Sequence, residues 1–397
     1  MRTPRVAYFP DSFHEVNGVA HTSRHFVGYA KRRGLPFLCV RAGGRVEASE
    51  QPDGLRTLEL KRSWAAVGME KDLSFDPLFW RHVGRVEREL KSFQPDIIHI
   101  TGPSELGMFG AYFAWELGVP LSASWHTNVH EYAARRMVRV TRQLSERTAA
   151  ATERGIETGA WWAASQFYRQ ANVLFAPNDE LCAMLEQSTG KPCHLMQRGV
   201  DTELFAPARR TRVTGDNRLV LGYVGRLSVE KNVALLARIE TELAARGMTG
   251  VEFLIVGHGG EEASLQAAMK DAAFAGVLRG TELAVAYANM DLLVFPSHTD
   301  TFGNVVLEAL ASGVPAIVTP DGGPKYIVRD GETGFVTADD GFAAAIAVLA
   351  VDRARLNRMR ECARSYALRC SWDAVFERVY GAYETVLPEP GQWRSDV

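Results

Sequence analysis

Short runs of apolar residues alternate along the chain with longer stretches in which apolar residues recur every three or four positions. The short runs predict buried β-strands, and the longer stretches predict amphipathic helices, the first over about 19–33. In the first half the strand-like runs are RVAYF, PFLCV, LRTLEL, PDIIHI, LSASW and VLFAP. In the second half they are LVLGYVG, VEFLIVG, GVLRG, DLLVFPS and PAIVT. Strands that alternate with helices indicate an α/β fold with parallel sheets and helices on both faces.

A polar, basic segment over 206–218 interrupts this pattern, and the alternation restarts after it. We therefore predict two Rossmann-like domains, residues 1–205 and 206–371. A last helix over about 372–390 follows the second domain. We expect this helix to pack back on the first domain.

Composition narrows the class of protein. The 397 residues are 46% hydrophobic, which allows full cores, and the formal net charge of −2 gives no reason to expect a nucleic-acid partner. The five cysteines are scattered without a CxxC pair, which argues against a disulfide framework or a zinc site. Neither a signal peptide nor a membrane-spanning run is recognisable, so a cytoplasmic location is expected.

The stretch from Asp291 to Gly313 combines a buried strand, a polar loop and a helix that opens near Gly303. Two carboxylates, Asp300 and Glu308, bracket the helix start, where free N–H groups and the helix dipole favour an anion. A diphosphate held there would have hydroxyl-binding carboxylates on both sides, which is the chemistry of a nucleotide-sugar pocket. Alternatively, Asp300 is a capping residue and Glu308 a solvated one. The apolar stripe of the helix is Phe302, Val305, Val306, Ala309 and Leu310.

Loops after other strands carry further candidates. Arg226 and Lys231, in VGRLSVEKN, lie between a strand end and a helix start, where two cations would neutralise a diphosphate leaving group. Glycines at Gly18 and in GHGG, which begins at Gly257, would let the backbone approach a ligand, although each is equally compatible with an ordinary turn. Leu278, in LRGTE, follows a strand and is expected near the base.

Three features of the first half have both structural and functional interpretations. His126 ends the strand-like run LSASW, and a single histidine there is often only a hydrogen-bonded structural residue. Asp201, in RGVD, is compatible with a simple turn cap. The segment between His126 and Val173 is rich in arginine and can form a basic amphipathic helix on an anionic membrane, a solvated face or a border of the acceptor site. Its arginines are Arg135, Arg136, Arg139, Arg142, Arg147 and Arg154.

The motif DTFGNVVLE resembles the acidic-x7-acidic signature of retaining family-4 glycosyltransferases with the GT-B fold, with Asp300 where the family usually has Glu. SWHTN, RGVDTELF and DTFGNVVLEA are most similar to phosphatidylinositol mannosyltransferases and sulfoquinovosyl diacylglycerol synthases. The resemblance implies two Rossmann-like domains that face each other across a deep cleft. It also implies transfer of a hexosyl group from a UDP- or GDP-sugar to an acceptor hydroxyl with retention, without a metal or another cofactor.

The same resemblance assigns roles to individual residues. Asp300 and His126 would hold the hexose, Glu308 would bind the ribose hydroxyls, and Arg226 with Lys231 would bind the diphosphate. The catalytic set is therefore His126, Asp300, Arg226 and Lys231. The donor-binding set is Gly18, Arg226, Lys231, Gly257, Leu278, Asp300, Phe302, Gly303, Asn304, Val305 and Glu308.

Several alternatives remain open at this point. The acceptor can be a glycolipid precursor, with peripheral contact at the inner face of a membrane, or a soluble sugar. A nucleotide-sugar epimerase and a pyridoxal-phosphate-dependent phosphorylase can share the architecture. A catalytically silent protein that binds a sugar nucleotide is a further possibility. Release of UDP or GDP would distinguish a transferase from these alternatives.

Overall fold

The computed structural model describes residues 3–15, 18–51, 54–70, 73–125, 158–213, 215–300 and 302–387. The chain divides into two compact units. Unit 1 comprises Met1–Arg198 and Val375–Val397, and unit 2 comprises Gly199–Ala374. Each unit is built around a sheet of its own, because the strand-like runs of each half pair with one another.

Within the described part of unit 1, an eight-stranded sheet has the order β10-β9-β8-β7-β1-β2-β4-β3. All its neighbouring strands are parallel except β3 and β4. β5 and β6 form a separate antiparallel pair. The strands are β1 (Val6–Phe9), β2 (Phe37–Gly43), β3 (Glu47–Glu50), β4 (Leu55–Lys61), β5 (Val67–Glu70), β6 (Leu73–Phe75), β7 (Ile97–Ile100), β8 (Leu121–Ser124), β9 (Val173–Ala176) and β10 (Cys193–Leu195).

The helices of unit 1 cover this sheet because each buries an apolar stripe. Ser104 caps the helix that begins at Glu105 by accepting from the Gly107 N–H, and Asn178 caps the helix that begins at Asp179 by accepting from the Leu181 N–H. Residues 158–168 are also helical. The helices are α1 (Gly18–Arg32), α2 (Val83–Phe93), α3 (Glu105–Leu117) and α4 (Asp179–Thr189).

Within the described part of unit 2, six parallel strands have the order β13-β12-β11-β14-β15-β16. All six residues of β11 are buried, as expected for a strand covered on both faces. The strands are β11 (Leu219–Val224), β12 (Val251–Val256), β13 (Ala272–Gly276), β14 (Leu292–Phe295), β15 (Ala316–Val318) and β16 (Gly334–Val336). The helices are α5 (Ala234–Ala245), α6 (Glu262–Ala268), α7 (Gly280–Asn289), α8 (Asn304–Ala311), α9 (Phe342–Val351) and α10 (Arg353–Arg369). The last helix, α11 (Trp372–Glu384), starts at the end of unit 2 and belongs to unit 1 from Val375 onwards.

Two of the predicted elements are placed differently by the structure. The run GVLRG (276–280) was predicted to be a strand, but β13 ends at Gly276, whose φ of +65° turns the chain away from the sheet. The helix expected to start beside Lys231, at the end of VGRLSVEKN, begins only at Ala234, after a 3-10 turn over Val229–Lys231. Asn232, with a φ of +53°, separates the turn from the helix.

A buried carboxylate anchors the basic segment that precedes β11. Asp291 lies immediately before β14 and accepts from Arg210 at 2.9 Å, from Arg212 at 2.6 Å and from Arg360 at 2.9 Å. Burial opposes ionisation of Asp291, but the hydrogen bonds from the Val220 N–H, Arg212 and Arg210 outweigh it and lower the pKa of Asp291. The polar character of 206–218 therefore reflects ion pairs made inside unit 2.

Candidate functional site

The strand order of unit 2 changes direction between β11 and β14. Strands β12 and β13 extend the sheet on the β11 side, and β15 and β16 extend it on the β14 side. Loops at the carboxyl ends of two such strands diverge and leave a crevice, where open α/β sheets bind their ligands. The loop after β11 carries Arg226 and Lys231, and the loop after β14 carries Asp300.

Backbone hydrogen bonds join the loop after β11 to the GHGG loop after β12. The Gly225 N–H donates to Val256 O at 2.9 Å, and the Leu227 N–H donates to His258 O at 3.1 Å. Gly257 has a φ of +139°, and a Cβ at this position would lie 1.8 Å from Gly225 O. Glycine is therefore required at this contact. Leu278, in the loop after β13, is half-buried against the core of unit 2.

Lys231 and Asp300 come together although they are far apart in sequence. Lys231 Nζ lies 2.6 Å from Asp300 Oδ2, and both side chains are about three-quarters buried, with 22% and 25% of their surface exposed. Asp300 O accepts from the Gly323 N–H at 2.8 Å, which fixes the loop from the other side. Arg226 is more open, with 74% of its side chain exposed, and its Nη1 lies 3.7 Å from Glu230 Oε1.

The helix predicted near Gly303 is α8. Gly303 is its N-cap residue, with a φ of +89°, and a Cβ there would lie 2.9 Å from Pro324 Cγ. Gly303 has no side chain with which to cap the helix, and Asp300 Oδ2 is paired with Lys231 Nζ. Asn304 is exposed in the first turn, Val305 and Phe302 are half-buried, and the apolar side of the helix faces the core of unit 2.

Glu308 lies one turn further along α8 and is not a solvated surface residue. Its Oε2 accepts a hydrogen bond from the Tyr287 hydroxyl at 2.9 Å. Burial raises the pKa of Glu308 to about 7, and the hydrogen bond from Tyr287 opposes this rise. Tyr287 itself is fully buried in α7. A carboxylate that titrates near neutral pH is a common feature of functional sites.

A group of polar residues at the same sheet edge was not predicted from the sequence. His298 Nδ1 lies 2.8 Å from Asp321 Oδ2, and its Nε2 lies 3.0 Å from Asp339 Oδ1. The side-chain amide of Asn232 donates to Asp339 Oδ2 at 3.0 Å. The sequence gives no periodic signal for this group, because its members come from four separate loops.

In unit 1, Gly18 is the first residue of α1, and the Arg198 guanidinium packs directly against it. Gly18 and Arg198, which were considered in separate sequence motifs, are therefore neighbours in unit 1. In unit 2, Asp201 Oδ1 accepts from the N–H groups of Glu203 and Leu204, so it caps a turn, as its structural interpretation anticipated. His126 and the arginine-rich segment over 135–154 lie outside the described residues.

Unit 1 also has a polar group at the carboxyl ends of its strands that sequence reasoning missed. Asp11 follows β1, and its N–H donates to Thr101 Oγ1 at 2.7 Å, just after β7. The Ser104 hydroxyl donates to Asp11 Oδ1, which joins this loop to the start of α3. Burial raises the pKa of Asp11 to about 7.

Comparison with known proteins identifies the family. A family model described as Glycosyltransferase Family 4 matches residues 16–204, and one described as Glycosyl transferases group 1 matches residues 218–352. The GDP-mannose-dependent alpha-mannosyltransferase of Mycobacterium tuberculosis is 32% identical over 396 residues, covering 96% of this chain and 97% of that protein. The chain belongs to glycosyltransferase family 4.

Two further similarities agree with this assignment. Sulfoquinovosyl transferase SQD2 of Arabidopsis thaliana is 29% identical over 356 residues, covering 84% of this chain and 63% of that protein. The structure of Anabaena Alr3699/HepE in complex with UDP superposes with a TM-score of 0.63 at 16% identity, covering 96% of this chain and 100% of that one. The predicted family and the predicted α/β fold of the GT-B type are confirmed.

This glycosyltransferase uses a nucleotide sugar as its donor, and the epimerase alternative is not favoured. No helix in the described ranges combines the length and the apolarity that crossing a bilayer requires. The roles of individual residues are proposals that rest on the geometry of the site.

Proposed function

We propose that this glycosyltransferase transfers a mannosyl group from GDP-mannose to an acceptor hydroxyl with retention of anomeric configuration. The choice of donor is supported by the M. tuberculosis relative, which matches nearly the full length of the chain and is named for GDP-mannose. Retention is supported by the acidic-x7-acidic motif from Asp300 to Glu308. The observation that carries the proposal is the pairing of Lys231 with Asp300 at the switch point of the unit 2 sheet.

In this mechanism the donor diphosphate binds Lys231, Arg226 and the N–H groups at the start of α8. The phosphates compete with Asp300 for the Lys231 ammonium group. This exchange releases Asp300 from Lys231. Its carboxylate then accepts hydrogen bonds from hydroxyl groups of the hexose beside the diphosphate. Cations and helix N–H groups stabilise the charge that develops on the leaving group as the sugar–phosphate bond breaks.

Glu308 accepts hydrogen bonds from the ribose hydroxyls with the carboxylate oxygen that is not bonded to Tyr287. His126 contacts the hexose. The leaving phosphate takes the acceptor proton on the same face of the sugar. We propose a glycolipid precursor as the acceptor, which the similarity to sulfoquinovosyl transferase SQD2 supports. Peripheral contact of the arginine-rich segment with an anionic membrane belongs to the same proposal.

Release of GDP from GDP-mannose, measured with a coupled assay, tests the reaction. We expect Lys231→Ala and Glu308→Ala to lower turnover by roughly 100-fold or more, the loss typical of removing a group that stabilises the transition state. Lys270→Ala is the matched control, because Lys270 is an exposed lysine of the same unit. Near-normal turnover in a folded Lys231→Ala or Glu308→Ala variant contradicts the corresponding role.

Product analysis tests the remaining parts of the proposal. NMR of the product should show the α-anomer of mannose, and a β-anomer would exclude retention. UDP-sugars should be poorer donors than GDP-mannose. Formation of a different sugar nucleotide without GDP release would indicate epimerisation instead. Transfer to lipid acceptors in vesicles, compared with soluble sugars, distinguishes the two classes of acceptor.

A further inference from the structure

His298 lies in the loop between β14 and α8, two residues before Asp300, and the donor site described above does not use it. Its imidazole ring lies between two carboxylates that belong to other loops. Nδ1 is 2.8 Å from Asp321 Oδ2, and Nε2 is 3.0 Å from Asp339 Oδ1. The ring is partly accessible, with 39% of the side chain exposed. This arrangement is a bridge across three loops at the carboxyl edge of the unit 2 sheet.

The two contacts constrain the protonation state of the ring. A neutral imidazole has one N–H, so one of its nitrogens would direct a lone pair at a carboxylate oxygen. The imidazolium form donates to both carboxylates. The Asn232 side-chain amide also lies 3.3 Å from Nε2 and could donate to it if the ring were neutral. In that case the Nε2 lone pair would also face Asp339 Oδ1, which is unfavourable. The geometry therefore favours the imidazolium.

The bridge also reaches the segment that carries Lys231. Asn232 follows Lys231 directly, and its amide donates to Asp339 Oδ2 at 3.0 Å and to Pro296 O at 3.3 Å. The Thr299 hydroxyl donates to Glu230 O at 3.1 Å. Asp339 thus holds the residue after Lys231 with one oxygen and His298 with the other. The segments that carry Lys231 and Asp300 are fastened to the same carboxylate.

The charges around the ring favour this state. Asp321 comes from the loop after β15, and Asp339 comes from the loop after β16. In the β11 loop the charged residues that directly precede Asn232 are Glu230 and Lys231, and Lys231 is paired with Asp300 of the His298 loop itself. The hydrogen bond to Asp321, opposed by partial burial and supported by Asp339, raises the pKa of His298 above its ordinary value.

We propose that His298 is a positioning residue whose imidazolium bridge holds Lys231 and Asp300 in the arrangement that binds the nucleotide sugar, so that donor binding weakens as the ring loses its proton. This inference rests on the donor site proposed above. Because the pKa is raised in the folded protein, the bridge is complete below the ordinary pKa of histidine. It is lost as the pH rises through the raised value.

Kinetics with GDP-mannose between about pH 5.5 and about pH 9 test the inference. For the wild type, ionisation of Glu308 lowers KM as the pH rises through about 7. KM should then rise by roughly tenfold towards about pH 9 while kcat changes less, because a hydrogen bond to a charged group is lost on the donor-binding side. His298→Gln should lack this alkaline rise and should have a higher KM than the wild type near neutral pH. His298→Arg, which keeps a positive charge, should retain a low KM at alkaline pH.

The matched control is His82→Gln. His82 lies in unit 1. Among the hydrogen bonds of the described residues, its side chain makes one, with the backbone carbonyl oxygen of Lys61 at 3.0 Å. This variant should keep the wild-type KM profile. Asp321→Asn and Asp339→Asn replace the two carboxylates one at a time and should each lower the pH at which KM rises. If His298→Gln does not fold, these two variants carry the test.

A donor-independent measurement separates this inference from the proposed function. In histidine-ring NMR of the full-length protein, the signal absent from His298→Gln should titrate above the ordinary pKa of histidine and move down in Asp321→Asn. A wild type that turns over GDP-mannose while His298→Gln keeps its KM profile overturns the inference. If the wild type is inactive with GDP-mannose, the proposed donor is wrong. The inference about His298 is still tested by NMR in that case, and an unchanged His298 pKa in Asp321→Asn overturns it.

Discussion

Tyr287 and Glu308 form a pair in which a fully buried hydroxyl group acts on the charge of a carboxylate. The hydroxyl donates to Glu308 at 2.9 Å, and this bond favours the ionised form against the effect of burial. Tyr287 cannot ionise in this place, because its pKa is raised well above the usual value by burial and by Glu308. Its contribution is therefore a fixed donor that leaves the other Glu308 oxygen available for a ligand.

Tyr287→Phe should raise the pKa of Glu308 above about 7, because the opposing hydrogen bond is removed while burial remains. Glu308 is then protonated at neutral pH, and donor binding should recover only at higher pH. The expected loss of affinity for GDP-mannose at neutral pH is roughly tenfold, from about 1.5 kcal/mol for a hydrogen bond to a charged group. Calorimetric titration with GDP-mannose at several pH values measures this shift.

Tyr380→Phe is the control for this substitution. Tyr380 is also a buried tyrosine, and within the described residues its hydroxyl has no hydrogen-bond partner. Removal of this hydroxyl should leave affinity unchanged and should not lower stability. Equal affinities of Tyr287→Phe and the wild type for GDP-mannose across the pH range would contradict the assigned role of Tyr287.

At this scale the sequence predicts single residues better than their partners. Glu308, Lys231 and Asp300 can be chosen as candidates from local motifs. Tyr287, however, reaches Glu308 from 21 residues earlier in the chain, and Lys231 meets Asp300 across 69 residues. A motif defines a spacing along one segment, whereas these contacts depend on which loops the parallel sheet brings to one edge.

At the scale of elements, the loops of unit 2 are held together by backbone contacts that exclude side chains. Gly257 and Gly247 both have positive φ, at +139° and +72°. A Cβ on Gly257 would meet Gly225 O, whereas no described atom lies within 4 Å of a Cβ on Gly247, just after α5. The two positions therefore separate backbone strain from close approach of two loops.

Gly247→Ala should lower the free energy of unfolding by about 1 kcal/mol, the cost of a left-handed conformation for alanine. Gly257→Ala should cost about 3 kcal/mol or more, because the loop after β12 must also move away from the loop after β11. It should weaken nucleotide-sugar binding as well, whereas Gly247→Ala should not. Urea unfolding and a thermal-shift titration with GDP-mannose measure both effects. Similar stabilities of the two variants would show that the contact at Gly225 O is relaxed easily.

Elements with a strong apolar pattern were predicted close to their observed positions. The helix expected over about 19–33 is α1 (Gly18–Arg32), and DLLVFPS contains β14. The strand β13 was misplaced because its sequence, AAFAG, is rich in alanine and glycine, which have low strand propensity. It is a strand only because it pairs with β12 in the sheet. This tertiary pairing is not encoded in the local pattern.

At the scale of the whole molecule, the alternation of strands and helices was sufficient to predict the fold class. The polarity of 206–218 was harder to interpret from sequence. A run of arginines is compatible with a solvated linker, but Arg210 and Arg212 form ion pairs with Asp291, about 80 residues away in the sequence. Charge composition alone does not distinguish solvated arginines from those that anchor a segment.

The C-terminal helix connects the end of the chain to unit 1. Phe376 stacks on Phe26 with a centroid distance of 4.5 Å and an interplanar angle of 13°, and Tyr383 contacts His99. Phe26 belongs to α1, and His99 belongs to β7 in the middle of the sheet. The last helix therefore completes the aromatic packing of unit 1, whose other strands and helices come from the first half of the chain.

Phe376→Ala should remove part of this packing and cost about 3–5 kcal/mol, as is typical for a buried phenylalanine. Hydrogen exchange measured by mass spectrometry should show faster exchange in peptides of α1 and β1, since Phe26 loses its stacking partner. Phe342→Ala is the matched control, because Phe342 is equally buried but belongs to the core of unit 2, and it should speed exchange around α9 instead. If α1 and β1 are protected from exchange equally well in Phe376→Ala and in the wild type, the Phe26–Phe376 stack does not stabilise these elements. Unit 1 would then not depend on α11.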